Sequence, residues 1–191
     1  MPNLYLDNFT RHRQILEATQ LTCHDGLQHL AELATQTLLT NHRIYFFGNG
    51  GSAADAQHLA TELSVRFIHN RRALAGLALT TDSSVLTACA NDLGFDQIFA
   101  RQLEALGQPG DLAIALSTSG NSPNVIAALE TARQMNITPA ALTGQTGGRL
   151  KGLADPLITV PATETARIQE MHILLGHILC TEIEHRLGLS T

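Results

Sequence analysis

Apolar positions along this chain change period several times, and each change marks an element. Between residues 3 and 40, Gly26 is the only glycine and proline is absent, while Leu27, Leu30, Leu33, Leu38 and Leu39 recur at helical spacing. This predicts a pair of helices broken near Cys23 to Gly26, with a stripe that packs on the rest of the chain or on another subunit. Ile44 to Phe47 is a short apolar run with aromatic residues, long enough for a buried strand and too short for a helix. Gly48-Asn49-Gly50-Gly51 then breaks the chain, because glycine adopts positive φ without steric cost. Ser52 reads as an N-cap, Asp55 three residues on closes a capping box, and Ala53 to Leu63 is helical by composition.

The alternation continues. Ala75 to Thr80 predicts a second strand, and Thr81-Asp82-Ser83-Ser84 leads into a helix from Val85 to about Ala90. Asn91-Asp92-Leu93-Gly94 interrupts that helix, and Asp96 to Leu106 resumes it. After the Pro109-Gly110 turn, Leu112 to Leu116 is the most continuous apolar strand; Pro123 to Gln134 follows as a helix with proline in its first turn. Thr138 to Leu142 and Leu157 to Val160 are further strands, separated by Thr143-Gly144 and Gly147-Gly148 turns. Thr163 and Thr165 offer caps for a long last helix, Ala166 to Leu187. Strands alternating with helices predict an α/β fold: a parallel sheet with helices on both faces and right-handed crossovers. No linker or shift in composition divides residues 1–191, so one domain is expected.

Composition narrows the function. Charged residues make up 15% of the 191, against an ordinary share of about a quarter, and 44% are hydrophobic. So little charge to cover a surface points to subunit interfaces. A net charge of −5 and the lack of any basic run argue against a nucleic-acid groove. Cys23, Cys89 and Cys180 are scattered, odd in number and never in CxxC spacing, as expected of reduced, buried thiols in a cytoplasmic protein. There is no apolar signal-type region at the N-terminus, and no stretch reaches the length of a membrane span. Lys151 is the only lysine; nothing apolar around it would depress its pKa, so Schiff-base chemistry is disfavoured. No Gly-Lys-Ser/Thr occurs, which excludes a Walker-type phosphate loop.

Three stretches carry candidate chemistry. His58 and Glu62 are four apart and share one helix face, among Ala56, Leu59, Ala60 and Leu63, which suggest a largely packed helix. Ser117-Thr118-Ser119-Gly120-Asn121-Ser122 sets four hydroxyls between a strand end and a helix start, a phosphate cradle that needs no lysine. Asp55 disfavours phosphate at the other helix end by its charge. On the last helix Gln169 and His177 are eight apart, about 80° of rotation and 12 Å of rise, so only long side chains could converge on something between them. A buried His177 by itself fits a hydrogen-bonded core histidine as well as a ligand; His172 lies on another side, as a structural or surface residue.

GNGGS followed by DAQHLATEL, then AND, STSGNS, LTG and ARIQEMHILLGH, in this order and over nearly the whole chain, resembles the sedoheptulose-7-phosphate isomerase (phosphoheptose isomerase) family of SIS-domain (sugar isomerase) proteins. The resemblance implies a three-layer SIS fold with a five-stranded parallel sheet, preceded by a helical segment. It implies a homotetramer with active sites near subunit boundaries. Sugar contacts would fall on Asn49, Gly50, Gly51, Ser52, Asn91 and Asp92, and phosphate contacts on Ser117, Thr118, Ser119 and Ser122. One zinc ion per subunit would be held by His58, Glu62, Gln169 and His177; Glu62 and Gln169 would also touch substrate, with Glu62 and His177 as acid–base residues. The implied reaction converts sedoheptulose 7-phosphate to D-glycero-D-manno-heptose 7-phosphate for bacterial lipopolysaccharide precursors, although a pentose or hexose phosphate would satisfy the same motifs. Moving a carbonyl from C2 to C1 needs a base at carbon and an acid between the oxygens, roles suited to a carboxylate and an imidazole. A related non-enzymatic branch binds the bacterial replication initiator, and its members lack acid–base residues at the positions matching Glu62 and His177. This chain keeps both. It departs from the family at Arg71-Arg72-Ala73, where an Arg-Pro segment is more usual.

Overall fold

The computed structural model describes residues 3–144 and 146–189. The chain opens with α1 (Leu4–Thr22) and α2 (His24–Leu39), which meet at Cys23. The Cys23 N–H closes α1 on the Thr19 carbonyl at 2.9 Å, and its own carbonyl accepts from Leu27 at 3.0 Å to start α2. Thereafter strands and helices alternate: β1 (Ile44–Gly48), α3 (Gly51–Ser64), β2 (Gly76–Ala78), α4 (Ser83–Asp92), α5 (Ala100–Leu106), β3 (Leu112–Ser117), α6 (Pro123–Gln134), β4 (Thr138–Thr143), β5 (Leu157–Thr159) and α7 (Thr165–Arg186). The expected α/β class holds. Five parallel strands pair in the order β2-β1-β3-β4-β5.

The period of two along each strand sorts side chains to opposite faces. Ile44, Phe46, Leu112, Ile114 and Leu116 face one core, against α2, α3 and α7. Tyr45, Phe47, Ala113 and Ala115 face the other, against α4, α5 and α6. Strands buried on both faces explain the continuous apolar runs in the sequence. In this strand order the chain leaves β1 for β2 and then returns to β3 on the other side of β1. The crevice outside the carboxyl ends of β1 and β3 is therefore a topological switch point, where such sheets bind ligands. Gly48 pairs in register with Leu116, which sets the β1–α3 and β3–α6 turns side by side.

Several local expectations are corrected. The capping box does not form: Gly50, at φ 58°, is the N-cap of α3, and no side chain caps this helix. Helix thus begins earlier than expected, burying Ser52 and carrying Asp55 beyond the first turn. Neither Thr163 nor Thr165 caps α7; Glu164 takes that position without a side-chain hydrogen bond. Asp96 to Leu106 is not one helix, since Phe95–Gln97 forms a 3-10 turn before α5 begins at Ala100. Leu39 leaves the stripe of α2 and is 58% exposed, while Ala31 and Ala34 join Leu27, Leu30 and Leu38 in the core.

One contact between helices matters for the site. At Gly176 of α7 a side chain would collide with Leu59 of α3. Glycine costs about 0.5–1 kcal/mol in a helix interior relative to alanine, and here it lets two helices approach closely enough for their neighbouring histidines to meet. No helix among the described residues is long and apolar enough to cross a membrane.

Candidate active site

A cleft of about 270 Å³ lies at the switch point. Asn49, Gly50, Gly51 and Ser52 line it from the first turn, and Ser117, Thr118 and Ser122 from the second. Thr165 and Gln169 complete it from the start of α7. Gln169 packs so closely on Gly51 that any side chain there would displace its amide, which accounts for glycine at this position. Asn49 and Asn124 exchange amide hydrogen bonds of 2.9 Å in both directions, locking the first turn to α6.

The second turn is built to receive an anion. Ser117 is only 4% exposed, and its Oγ is buried without a hydrogen-bond partner. Ser122 is the N-cap of α6, yet its hydroxyl makes no capping bond. Both hydroxyls are thus free for a ligand at the N-terminus of α6, where Pro123 brings no N–H and those of Val125 and Ile126 bond the Ser122 carbonyl at 3.1 Å. Ser119 differs: it is exposed, and its Oγ accepts from the Asn121 N–H at 3.1 Å. Asn91 and Asp92 are exposed at the end of α4 and bonded to each other at 2.7 Å, outside the lining of the cleft. The first turn of α3 holds no acidic residue, so the electrostatic objection to an anion there, raised on account of Asp55, falls away.

Where α3 meets α7, His58, Glu62 and His177 come together. His58 Nε2 lies 3.0 Å from His177 Nε2 and 3.1 Å from Glu62 Oε1. A neutral imidazole has one ring proton, so His58 Nε2 can donate to only one of these two acceptors. His177 is half-buried rather than buried, with the Phe67 ring stacked on it at 5.4 Å and 23°. The nearby Asp55 has its carboxyl pushed above the ordinary range by burial, an effect partly offset by His58 and His177. His172 is fully buried, and its Nε2 bonds the Thr143 carbonyl at 3.2 Å. Burial lowers its pKa to about 4 against that hydrogen bond, so it is a neutral core residue.

The imidazole nitrogens and carboxylate are donors that zinc accepts. As placed they contact one another, and among the described residues no three His, Cys, Asp or Glu side chains are set to hold a metal ion. The donor set fits zinc in its chemistry, and the spacing is that of a hydrogen-bonded cluster. Gln169, the fourth expected ligand, lies against the Gly51 turn.

Sequence reasoning gave Thr165 a capping role only, and passed over Asn124, Phe67 and the buried ion pair of Arg71 with Glu184, whose Nε–Oε1 distance is 2.8 Å. A glutamate beside Ile183 in an apolar helix was the one available signal for that pair.

Residues 5–144 match the SIS domain family. Fold and match together define a SIS-domain protein. A phosphoheptose isomerase of Paramagnetospirillum magneticum is 54% identical over 181 residues, 94% of each chain. The solved structure of a phosphoheptose isomerase from Neisseria gonorrhoeae superposes with a TM-score of 0.90 at 41% identity, covering 95% of this chain and 97% of that one. The corresponding values for one from Francisella tularensis are 0.92, 34%, 97% and 100%. The chain belongs to the phosphoheptose isomerase family.

Proposed function

We propose that this protein is an aldose–ketose isomerase that converts sedoheptulose 7-phosphate to D-glycero-D-manno-heptose 7-phosphate, supplying heptose for bacterial lipopolysaccharide. The observation that carries this reading is the meeting of Glu62 with His58 and His177 between α3 and α7, the two helices whose N-terminal residues line the hydroxyl-bearing cleft. The relatives' name, phosphoheptose isomerase, supports a heptose phosphate as the sugar.

The phosphate sits on Ser117, Thr118, Ser119 and Ser122 and on the N-terminus of α6, and the open-chain sugar runs toward Glu62. Glu62 takes the proton from C1 of the ketose, and the excess charge spreads over an enediolate. His177 gives a proton to O2 and accepts one from O1, and Glu62 returns its proton to C2. Each proton-transfer group contributes ~10²–10⁴-fold. Zinc held by His58, Glu62, Gln169 and His177 would polarise the carbonyl oxygen. Asn49, Gly50, Gly51, Ser52, Asn91 and Asp92 orient the sugar, with Gln169 beside them at the first turn.

In D2O the aldose product should carry deuterium at C2, read by ¹H and ¹³C NMR of sedoheptulose 7-phosphate incubated with zinc-supplemented protein. An unchanged ketose would sink the enzyme reading; deuterium at C2 measures how often the Glu62 carboxyl exchanges with solvent before it returns its proton. Zinc itself is tested by elemental analysis of wild type against His58→Ala, which should hold less metal.

The assembly we propose is a homotetramer in the cytoplasm. Leu4, Tyr5, Leu6 and Phe9 on α1 support it, being 68%, 70%, 56% and 57% exposed, an apolar face that a second copy would cover. Cys23, Cys89 and Cys180, all free and buried, suit a reducing compartment. Light scattering that gives a monomer at micromolar concentration would refute the tetramer.

A further inference from the structure

We propose that the buried Arg71–Glu184 pair and Phe67 form a positioning device for the proton-transfer groups, acting on His177 through the Phe67 ring and on Glu62 through its backbone. The proposal rests on the isomerase reading for the roles of Glu62 and His177.

Glu184 follows His177 by seven residues on α7, about two turns, and so lies on nearly the same face. Both side chains of the pair are 1% exposed. The Glu184 carboxylate accepts from three successive backbone N–H groups, those of Phe67, Ile68 and His69, at 3.2, 3.3 and 3.3 Å. It also accepts from Arg71 Nε at 2.8 Å. Arg71 spends its other donors on carbonyls: Nη1 on Leu63 and Arg72 at 2.8 and 3.0 Å, and Nη2 on Glu62 at 2.6 Å. One ion pair therefore joins the C-terminal turn of α3, the loop after it and α7.

The network is closed. Four N–H groups meet the carboxylate, and the guanidinium faces three carbonyls, so little capacity is left for a ligand. Burial would raise the Glu184 carboxyl, and the hydrogen bonds from Arg71, Phe67, His69 and Ile68 outweigh it, keeping the group ionised below the usual range. Buried pairs often contribute little net stability compared with apolar replacements. What this one supplies is placement. Phe67, whose N–H it grips, stacks on the His177 ring, and Glu62, whose carbonyl it grips, contacts His58. Backbone position in α7 fixes the His177 Cα but leaves χ2 free; the stacked ring restricts it.

Lysine cannot reproduce a fork of this kind, so Arg71→Lys tests the clamp. Glu184→Gln does the same by removing the charge while keeping an acceptor, and Phe67→Leu removes the ring with the pair intact. For Phe67→Leu we expect kcat to fall about tenfold with KM within about twofold, and Phe67→Tyr to restore it. His177 ring protons should show an upfield ring-current displacement in wild type that is lost in Phe67→Leu and reduced in Arg71→Lys or Glu184→Gln. A structural pair alone would lower the melting temperature without moving these resonances or splitting kcat from KM. Wild-type kcat in Phe67→Leu, failure of Phe67→Tyr to restore it, or unmoved His177 resonances in both clamp variants would overturn the proposal. Should wild type prove inactive, the isomerase reading fails, and the resonances still decide whether Phe67 and the pair hold the ring.

Discussion

His172 and His177 lie five residues apart on the same helix and have opposite fates. Five residues turn a helix by about 140°, so one ring enters the core and the other meets α3. His172 is fully buried, holds the Thr143 carbonyl and leaves its Nδ1 without a partner. Burial makes it neutral at any ordinary pH. His177 is half-buried and touches His58 and Phe67. The residue type is identical; what differs is that one ring is sealed in the core, where burial penalises its charge, while the other reaches partners on α3. Catalytic potential follows the face of the helix rather than the histidine.

The largest expected effect falls where α7 meets α3. Glu62→Gln and His177→Gln should each lower kcat by ~10²–10⁴-fold while leaving thermal stability near wild type. Substrate binding, followed by calorimetry with the ketose phosphate, should survive in Glu62→Gln. If either variant retains wild-type kcat, the division between the two faces of α7 collapses.

The core face should respond in stability and with pH. His172 has its folded pKa depressed from 6.5 to about 4. Above pH 6.5 it is neutral in both states and contributes nothing to the pH dependence. As pH falls toward 4 the unfolded chain takes up a proton that the folded chain resists, so stability is lost across that window. Below pH 4 the loss levels off at about 3 kcal/mol. Urea unfolding of wild type and His172→Gln between pH 7 and 4 measures it. The slope assigned to His172 should vanish in the variant, and an identical slope in both proteins would contradict the burial argument.

How far this contrast was legible in the sequence depends on distance along the chain. Strand, turn and helix at Ile44 to Leu63 follow from period and glycine content, and α6 starts at Pro123 because proline suits a first turn. The five-stranded parallel sheet was an expectation of the family resemblance. Cap identities failed where backbone geometry decides: Gly50 at positive φ starts α3 ahead of Ser52, which no local composition reveals. Leu39 was misassigned because a stripe drifts off the buried face near a helix end. The burial of His172 and the half-burial of His177 depend on which neighbours α7 receives. The grip of Glu184 on Phe67, 117 residues away, leaves no periodic trace at all.

The smallest effect expected concerns what an unpartnered atom means on the two sides of the molecule. His172 Nδ1 and Ser117 Oγ are both buried without hydrogen bonds. The first faces the core, where its lack of a partner is part of the burial that keeps the ring neutral. The second lines the cleft beside Ser122, whose hydroxyl is spared from capping, so a phosphate oxygen can satisfy both. Hydrogen bonds to charged groups are worth about 1.5–3 kcal/mol each. Ser117→Ala with Ser122→Ala should therefore raise KM for the ketose phosphate more than tenfold (about 1.4 kcal/mol or more), with kcat little changed. Unphosphorylated sedoheptulose serves as the internal control, since whatever turnover it shows should not depend on these hydroxyls. Ser52→Ala tests the neighbouring turn, because α3 also points its N-terminus at the cleft and has no acid in its first turn. A larger rise in KM from Ser52→Ala than from the double variant would move the phosphate to Gly48–Ser52.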